Sequence, residues 1–110
     1  MATFEEFQRI DMRVGTITEA APFPAARKPA ITLAIDFGAE IGIRRSSAQI
    51  TLHYVAEQLV GRQVVAVVNF PPRRIAGFVS EVLVLGAMPE PHDVVLLAPD
   101  ARVPNGTRIG

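Results

Sequence analysis

The sequence has no cysteine and no tryptophan, and its aromatic residues are six phenylalanines and one tyrosine. The lack of cysteine excludes disulfides, thiol chemistry and Cys-ligated zinc or iron–sulfur sites. So few aromatic rings argue against a broad platform for stacking nucleic-acid bases. The only histidines, His53 and His92, have no second ligand at a metal-binding spacing, so we predict neither a metal site nor a cofactor.

Catalytic patterns are absent as well. No serine lies in a nucleophile elbow, and no glycine-rich phosphate loop occurs. Asp36 and Glu40 are close in sequence, but they flank a predicted tight turn and are expected to be solvated, whereas an acid–base pair requires a cleft. We therefore predict that the protein is not an enzyme.

The sequence shows no targeting segment. Residues Met1 to Glu6 contain neither the basic region nor the apolar region of a signal peptide. Apolar runs such as Val64 to Val68 are far too short to span a bilayer. These observations predict a cytoplasmic protein with no membrane insertion.

A length of 110 residues is enough for one domain and not for two. Hydrophobic residues make up 49% of the chain and the mean hydropathy is +0.28, which is high for a small domain with much surface per volume. We therefore expect a partner chain to cover some apolar surface, and a second subunit is the simplest cover.

The formal net charge is zero, but basic residues are concentrated in the middle of the chain. Residues 24–80 carry seven basic and three acidic groups, a balance of +4. Most of the excess lies in the pairs Arg27-Lys28, Arg44-Arg45 and Arg73-Arg74. A local basic patch is what phosphate contact requires, although dedicated nucleic-acid binders are usually more basic overall.

The chain begins with a predicted short helix. Thr3 can cap this helix and Glu6 can complete a capping box, so the helix is expected to run through about Arg9. This arrangement places Phe4 and Phe7 on one face.

Alternating and apolar segments then predict strands. Gly15 lies inside the first of them and is expected to mark a bulge or a sharp bend. Gly38 to Glu40 is expected to make a tight hairpin connection. The predicted strands are Arg13–Glu19, Ile31–Phe37, Ile41–Ser47, Val64–Val68, Glu81–Leu85 and Val94–Leu97.

Thr51 to Leu59 is the one internal segment with helical character, and Gly61 would end it. Three strands, a short helix and further strands follow one another in the order typical of an OB-fold. We therefore predict an all-β protein with short helices, built as a five-stranded OB-fold β-barrel. Residues 1–110 would form one domain, with an N-terminal helix at 1–10, the barrel at 11–86 and a C-terminal extension at 87–110.

Several segments, taken in order, resemble a known family. Asp11 to Ile17 is similar to the opening strand of the tRNA-binding domain of bacterial methionyl-tRNA synthetases, and Leu59 to Asn69 is similar to a later strand of that domain. Other segments resemble the free-standing CsaA family of export-related chaperones: they are Ala26–Pro29, Ser46–Ile50, Ile75–Phe78, Ser80–Gly86 and Val94–Asp100.

This resemblance implies the tRNA-binding version of the OB-fold, without catalysis or cofactor. It implies a homodimer whose interface includes the N-terminal helix and the C-terminal strands, so that 87–110 is a dimerisation extension. The interface residues would be Phe4, Phe7, Val94 and Leu96. It also implies that the protein binds unfolded or pre-secretory polypeptides and, across the wider family, tRNA.

Two departures weigh against tight tRNA binding. The tRNA-binding members carry Ser-x-x-Met on the strand that faces the nucleic acid, whereas this chain has Ser80-Glu81-Val82-Leu83. Their binding loop reads Asp-Lys-Leu, whereas this one reads Arg27-Lys28-Pro29. We therefore predict a non-enzymatic chaperone for unfolded or export-competent polypeptides, with a protein that binds the shape and backbone of tRNA as the alternative.

Each group of candidate binding residues could have either a binding role or a purely structural one. The basic pairs could contact phosphates or acidic peptide segments, or could be solvated surface; the resemblance favours binding for Lys28 and Arg73. Ser46, Ser47 and Gln49 could bind a peptide backbone or only shape the local chain. The predicted set for peptide or tRNA is Arg27, Lys28, Arg44, Arg45, Ser46, Ser47, Gln49, Asn69, Phe70, Arg73, Arg74, Ser80 and Leu83.

Phe70 belongs to a stiff, partly apolar loop, Asn69-Phe70-Pro71-Pro72. Its ring could stack on a base or bury a peptide side chain. Its ring could instead pack on the core or on the dimer interface, which is the alternative we favour.

Overall fold

A short helix opens the chain in the computed structural model, which describes all residues from Met1 to Gly110. Helix α1 spans Phe4–Gln8. The predicted capping box is present: the N–H of Glu6 donates to Thr3 Oγ1 over 3.2 Å, and the N–H of Thr3 donates to Glu6 Oε1 over 3.0 Å. Both phenylalanines of this helix, Phe4 and Phe7, are exposed.

Most of the remaining ordered structure is β-sheet. The five strands of the main sheet are β1 (Met12–Pro22), β2 (Ile31–Asp36), β3 (Ile43–Ala48), β4 (Gln63–Val67) and β7 (Leu83–Val84). They are antiparallel and lie in the order β3-β2-β1-β4-β7. The remaining strands form two hairpins: β5 (Arg73–Ile75) pairs with β6 (Phe78–Ser80), and β8 (Gly86–Glu90) pairs with β9 (Asp93–Leu96).

The main sheet nearly closes on itself between β3 and the residues that precede β7. The hydroxyl of Ser46 donates to the carbonyl of Val82 over 3.2 Å, and the N–H of Ser47 donates to Ser80 Oγ over 3.0 Å. The N–H of Glu81 donates to the carbonyl of Arg45 over 2.8 Å. A nearly closed, five-stranded antiparallel barrel with a few short helices confirms the predicted OB-fold.

The alternation in β2 supplies the centre of the core. The side chains that point into the barrel are those of Ile31, Leu33 and Ile35, and that of Phe37, which directly follows the strand. All four are buried. Full burial of each such side chain contributes about 1.5–3 kcal/mol. The other members of the buried cluster are Ile17, Ile50, Ala56, Leu59, Val64, Ala66 and Val82.

Gly15 does not mark a bulge, so that part of the prediction was wrong. The register between β1 and β2 shifts between Ile17 and Glu19 instead. Gly15 is needed because of a close approach: a Cβ there would lie 2.6 Å from Ile35 Cγ2 and 2.7 Å from Phe37 Cδ1.

The prediction of a helix from Thr51 to Leu59 was also wrong. Only a single 3₁₀ turn, η1 (Ala56–Gln58), is helical in this segment. The preceding Val55 has an extended backbone, and the hydroxyl of Tyr54 accepts the N–H of Leu96 over 2.9 Å. This tertiary contact competes with the local helical preference.

Where the sequence predicts a tight turn at 38–40, the chain forms a one-turn helix, α2 (Gly38–Ile41).

The C-terminal residues run back along β1. The N–H of Val14 donates to the carbonyl of Thr107 over 2.9 Å, and the N–H of Gly106 donates to the carbonyl of Val14 over 2.7 Å. Arg13 adds a hydrogen bond from Nη1 to the carbonyl of Gly106 over 3.0 Å. Its hydrogen bond to Asp11 raises the pKa of Arg13 above its ordinary value.

None of the helices combines the length and the apolar character that crossing a lipid bilayer would require.

Candidate binding groove

A groove of about 1100 Å³ lies where the loop before β2, the segment after β3, the strand β5 and the β7–β9 region meet. About half of its lining residues are hydrophobic. It brings together six of the predicted binding residues and one predicted interface residue, which are Arg27, Lys28, Ser47, Gln49, Arg73, Leu83 and Val94.

An aromatic contact positions two walls of the groove. The rings of Phe23 and Phe78 pack with their centroids 5.5 Å apart, at an interplanar angle of 53°. Phe23 precedes the loop that carries Arg27 and Lys28, and Phe78 belongs to β6. The contact therefore holds the basic loop against the β5–β6 hairpin.

Strand alternation decides which residues of β5 face the groove. Arg73 and Ile75 line it, whereas Arg74, between them, does not. The opposite orientation of successive side chains in a strand accounts for this difference. The hairpin turns through Ala76 and Gly77 at φ values of 48° and 83°, the positive region typical of a type I′ turn.

The groove is positively charged. Arg27, Lys28 and Arg73 line it, and none of the eleven acidic residues of the chain does. None of these three basic side chains forms an ion pair or a hydrogen bond within the chain. Their charges therefore have no directly paired counter-charge within the chain.

The apolar part of the groove includes two large side chains that are exposed. Leu83 is 47% exposed and Met88 is 59% exposed, whereas Ile50, which also lines the groove, is buried. Leu83 lies on β7 and Met88 on β8. Gly86, the first residue of β8, allows that strand to approach β9 closely, because a Cβ at this position would collide with Val94.

Several predicted binding residues lie outside the groove. Ser46 is 1% exposed and Ser80 is 8% exposed, and both hydroxyls take part in the barrel closure. The guanidinium of Arg44 donates to the carbonyl of Ile41 over 3.3 Å, while Arg45 uses its backbone N–H to bind Glu81 Oε1 over 2.9 Å.

Asn69 and Phe70 lie beside α1 rather than beside the groove. Asn69 Oδ1 accepts the N–H of Asp11 over 2.9 Å, and its Nδ2 donates to the carbonyl of Arg9 over 2.8 Å. Asn69 thereby anchors the end of the helix. Phe70 and Phe7 line a smaller cavity of about 580 Å³.

The predicted interface residues have two different surroundings. Phe4 and Phe7 are exposed, whereas Val94 and Leu96 are partly buried and pack against the core of their own chain. Their neighbours Val95 and Leu97 are more exposed.

Three features near the groove were not predicted from the sequence. Ile75 and Met88 belong to short hairpins whose strands are too brief for a periodic signal. His53 contacts the carboxylate of Asp93, which ties the turn after β3 to the start of β9. No sequence signal connects two residues so far apart in the chain.

Comparisons with known proteins agree with this fold. A family model described as a putative tRNA binding domain matches residues 12–108. The chaperone CsaA from Bacillus anthracis str. Ames has a TM-score of 0.95 and 61% identity, covering 100% of this chain and 99% of its own. The CsaA chaperone protein from Picrophilus torridus has a TM-score of 0.92 and 49% identity, and all of both chains are covered.

The curated relatives include much longer enzymes. The methionine–tRNA ligase of Porphyromonas gingivalis (strain ATCC 33277) is 37% identical over 106 residues, which are 96% of this chain and 15% of the ligase. The chain thus spans about a seventh of the length of these relatives. The matched families are binding domains rather than catalytic ones, although in the ligases the matched region is part of an enzyme. The chain belongs to the tRNA-binding domain family, as the resemblance of its sequence predicted.

Proposed function

We propose that the protein is a non-enzymatic chaperone whose groove binds segments of unfolded polypeptides. The observation that carries the proposal is the exposure of Leu83 and Met88 in a concave, partly basic groove. Exposed apolar patches in concave sites are typical of binding surfaces. The similarity to two CsaA chaperones over the whole chain supports the same reading.

The mechanism would be reversible capture. An extended client segment buries apolar side chains against Ile75, Leu83 and Met88, and each well-buried aliphatic group contributes about 1.5–3 kcal/mol. A protein without nucleotide chemistry holds its clients by mass action alone, because it binds and so stabilises their unfolded form. Export-competent precursors in the cytoplasm are the proposed clients.

The proposal includes a homodimer, for which 87–110 is the dimerisation extension. The exposed rings of Phe4 and Phe7 and the C-terminal residues around Val94 and Leu96 would form the interface. Two grooves on one dimer would raise the avidity for a long unfolded client that can reach both.

Binding of tRNA is the second candidate. The family match over residues 12–108 and the three unpaired basic groups of the groove favour it. Leu83 at the family's Met position and the lack of a Phe or Tyr ring in the groove oppose it. Recognition would then rest on backbone phosphates, and the affinity would fall steeply with salt.

The chaperone proposal is tested by light scattering from a chemically denatured client diluted into buffer with the protein. The double variant Leu83→Ser, Met88→Ser should need about tenfold more protein for the same suppression of aggregation, since a loss of about 1.4 kcal/mol corresponds to that factor. Ile43→Ser is the matched control, because Ile43 is 63% exposed and lies outside the groove. Failure of the unmodified protein to suppress aggregation of any client would refute the proposal.

The two candidates are separated by titrating labelled bulk tRNA at low and near-physiological salt, with and without excess unfolded polypeptide. Tight binding that survives about 0.15 M salt and resists the polypeptide would promote the tRNA function. Weak binding that is lost with salt, or displaced by polypeptide, would leave the chaperone.

A further inference from the structure

The charge of the groove differs from the charge of the whole molecule. The chain has eleven acidic and eleven basic residues, yet three basic residues and no acidic ones line the groove. The basic groups Arg27, Lys28 and Arg73 have no partner within the chain. Three like charges gathered on one surface repel each other, and a bound carboxylate would relieve that repulsion.

The basic and apolar residues come from different parts of the fold. The basic residues come from the loop before β2 and from β5, which the Phe23–Phe78 contact joins. The large exposed apolar residues Leu83 and Met88 come from β7 and β8. The groove thus has a basic side and an apolar side.

The chemistry of the apolar side favours a peptide over a nucleic acid. The one aromatic ring among the groove residues is the imidazole of His92; they include neither Phe nor Tyr, and the chain has no Trp. Single-stranded nucleic acids gain much of their affinity by stacking bases on aromatic rings. Aliphatic and thioether side chains such as Leu83 and Met88 instead suit the apolar side chains of a polypeptide.

We propose that the groove selects polypeptide segments in which carboxylates adjoin a run of apolar residues, and that it discriminates against segments in which lysine or arginine adjoins such a run. This specificity rests on the proposed chaperone function. Arginine suits it because the planar guanidinium binds a carboxylate through two parallel hydrogen bonds. The apolar side supplies affinity for any unfolded segment, and the basic side supplies the discrimination.

The experiment uses three fluorescent peptides with the same apolar core and with Glu, Gln or Lys residues on both flanks. Their dissociation constants are measured by anisotropy with the full chain. At about 50 mM salt the Glu peptide should bind about tenfold more tightly than the Lys peptide, and at about 500 mM salt the ratio should approach one, because salt screens exposed charges. Equal affinities at low salt would overturn the proposal.

Substitutions then assign the discrimination to the basic side. The double variant Lys28→Gln, Arg73→Gln should lose the preference for the Glu peptide and keep its affinity for the Gln peptide. Arg74→Gln is the matched control, since it removes the same charge from β5 at a position outside the groove. A preference that persists in the double variant would overturn the assignment.

The outcomes separate this inference from the function on which it rests. If none of the peptides binds, the proposed chaperone groove fails as well. If all three bind equally, only the charge selection fails. A uridine oligonucleotide serves as competitor: if it binds more tightly than the Glu peptide and displaces it, the groove is a nucleic-acid site and the proposal is wrong.

Discussion

The ring of Phe23 packs against the ring of Phe78, with the centroids 5.5 Å apart, and this contact joins the basic loop before β2 to the β5–β6 hairpin. Neither phenylalanine lines the groove itself. The contact nevertheless fixes the relative position of Lys28 and Arg73, which do line it. Binding by the groove should therefore depend on a pair of residues that touch no ligand.

Phe23→Ala should weaken peptide binding. Loss of the aromatic pair removes about 0.5–1.5 kcal/mol beyond the buried area and frees the loop to move away from the hairpin. Anisotropy titration of an acidic–apolar peptide should show a loss of about threefold to tenfold. Phe70→Ala removes an equally large ring outside the groove and should bind normally; equal effects of the two substitutions would contradict the positioning role.

Gly15→Ala should destabilise the barrel by about 1–3 kcal/mol, the usual cost of overpacking a core. The added Cβ would lie 2.6 Å from Ile35 Cγ2 and 2.7 Å from Phe37 Cδ1, and both side chains are buried. Chemical denaturation measures the change in the free energy of unfolding. Gly110→Ala is the control, because nothing lies within 4 Å of the Cβ it would add. A Gly15→Ala protein of unchanged stability would show that the core repacks freely.

Gln63→Glu should loosen the C-terminal segment. The side chain of Gln63 binds the backbone of Val103 in both directions, donating to its carbonyl over 2.8 Å and accepting its N–H over 3.1 Å. A carboxylate keeps the second bond and loses the first, which costs about 1–3 kcal/mol at a buried site.

Hydrogen exchange detects this loosening. The N–H groups of Val14 and Gly106, which join β1 to the C-terminal segment, should exchange faster in Gln63→Glu. Gln49→Glu makes the same chemical change in the groove and should leave these amides protected. Unchanged protection in Gln63→Glu would mean that other contacts suffice to hold the segment.

Ala76→Asn should stabilise the protein. Ala76 has a φ of 48°, a region that costs an ordinary residue about 1–2 kcal/mol and that Asn tolerates better. Asn followed by Gly is the preferred pair of a two-residue type I′ turn. We expect a gain of about 0.5–1 kcal/mol in thermal or chemical unfolding. A loss of stability would show that the methyl group of Ala76 makes contacts worth more than the relieved strain.

The sequence predicts the barrel well because its signals are local. Alternation in β2 and the capping box at Thr3 depend on neighbouring residues, and the structure contains both. The helix predicted from Thr51 to Leu59 fails because a long-range contact, from Leu96 to the hydroxyl of Tyr54, outweighs local propensity. Gly15 is misread for a similar reason, since the side chains that require a glycine there belong to another strand.

The groove is predictable only in part. Its basic members form visible pairs in the sequence, but strand alternation separates Arg73, which lines the groove, from Arg74, which does not. Serine hydroxyls suit a binding site and a barrel closure equally well, and Ser46 and Ser80 lie in the closure. Met88 lies in a segment rich in proline that is typical of a loop, although it belongs to β8, which pairs with β9 on either side of it.

Phe7→Glu should convert the proposed homodimer to a monomer at micromolar concentration. If a partner subunit covers position 7, the carboxylate of Glu would either be buried in the interface or hold the two subunits apart. The dissociation constant of the dimer should therefore rise about a hundredfold or more. Sedimentation velocity over a range of concentrations measures the shift. Ile43→Glu is the matched control, because Ile43 is also apolar and exposed but lies outside the proposed interface. The Ile43→Glu protein should remain dimeric.

Leu97→Glu tests the C-terminal part of the interface in the same way. If the unmodified protein sediments as a monomer throughout, the exposed phenylalanines of α1 require a different partner.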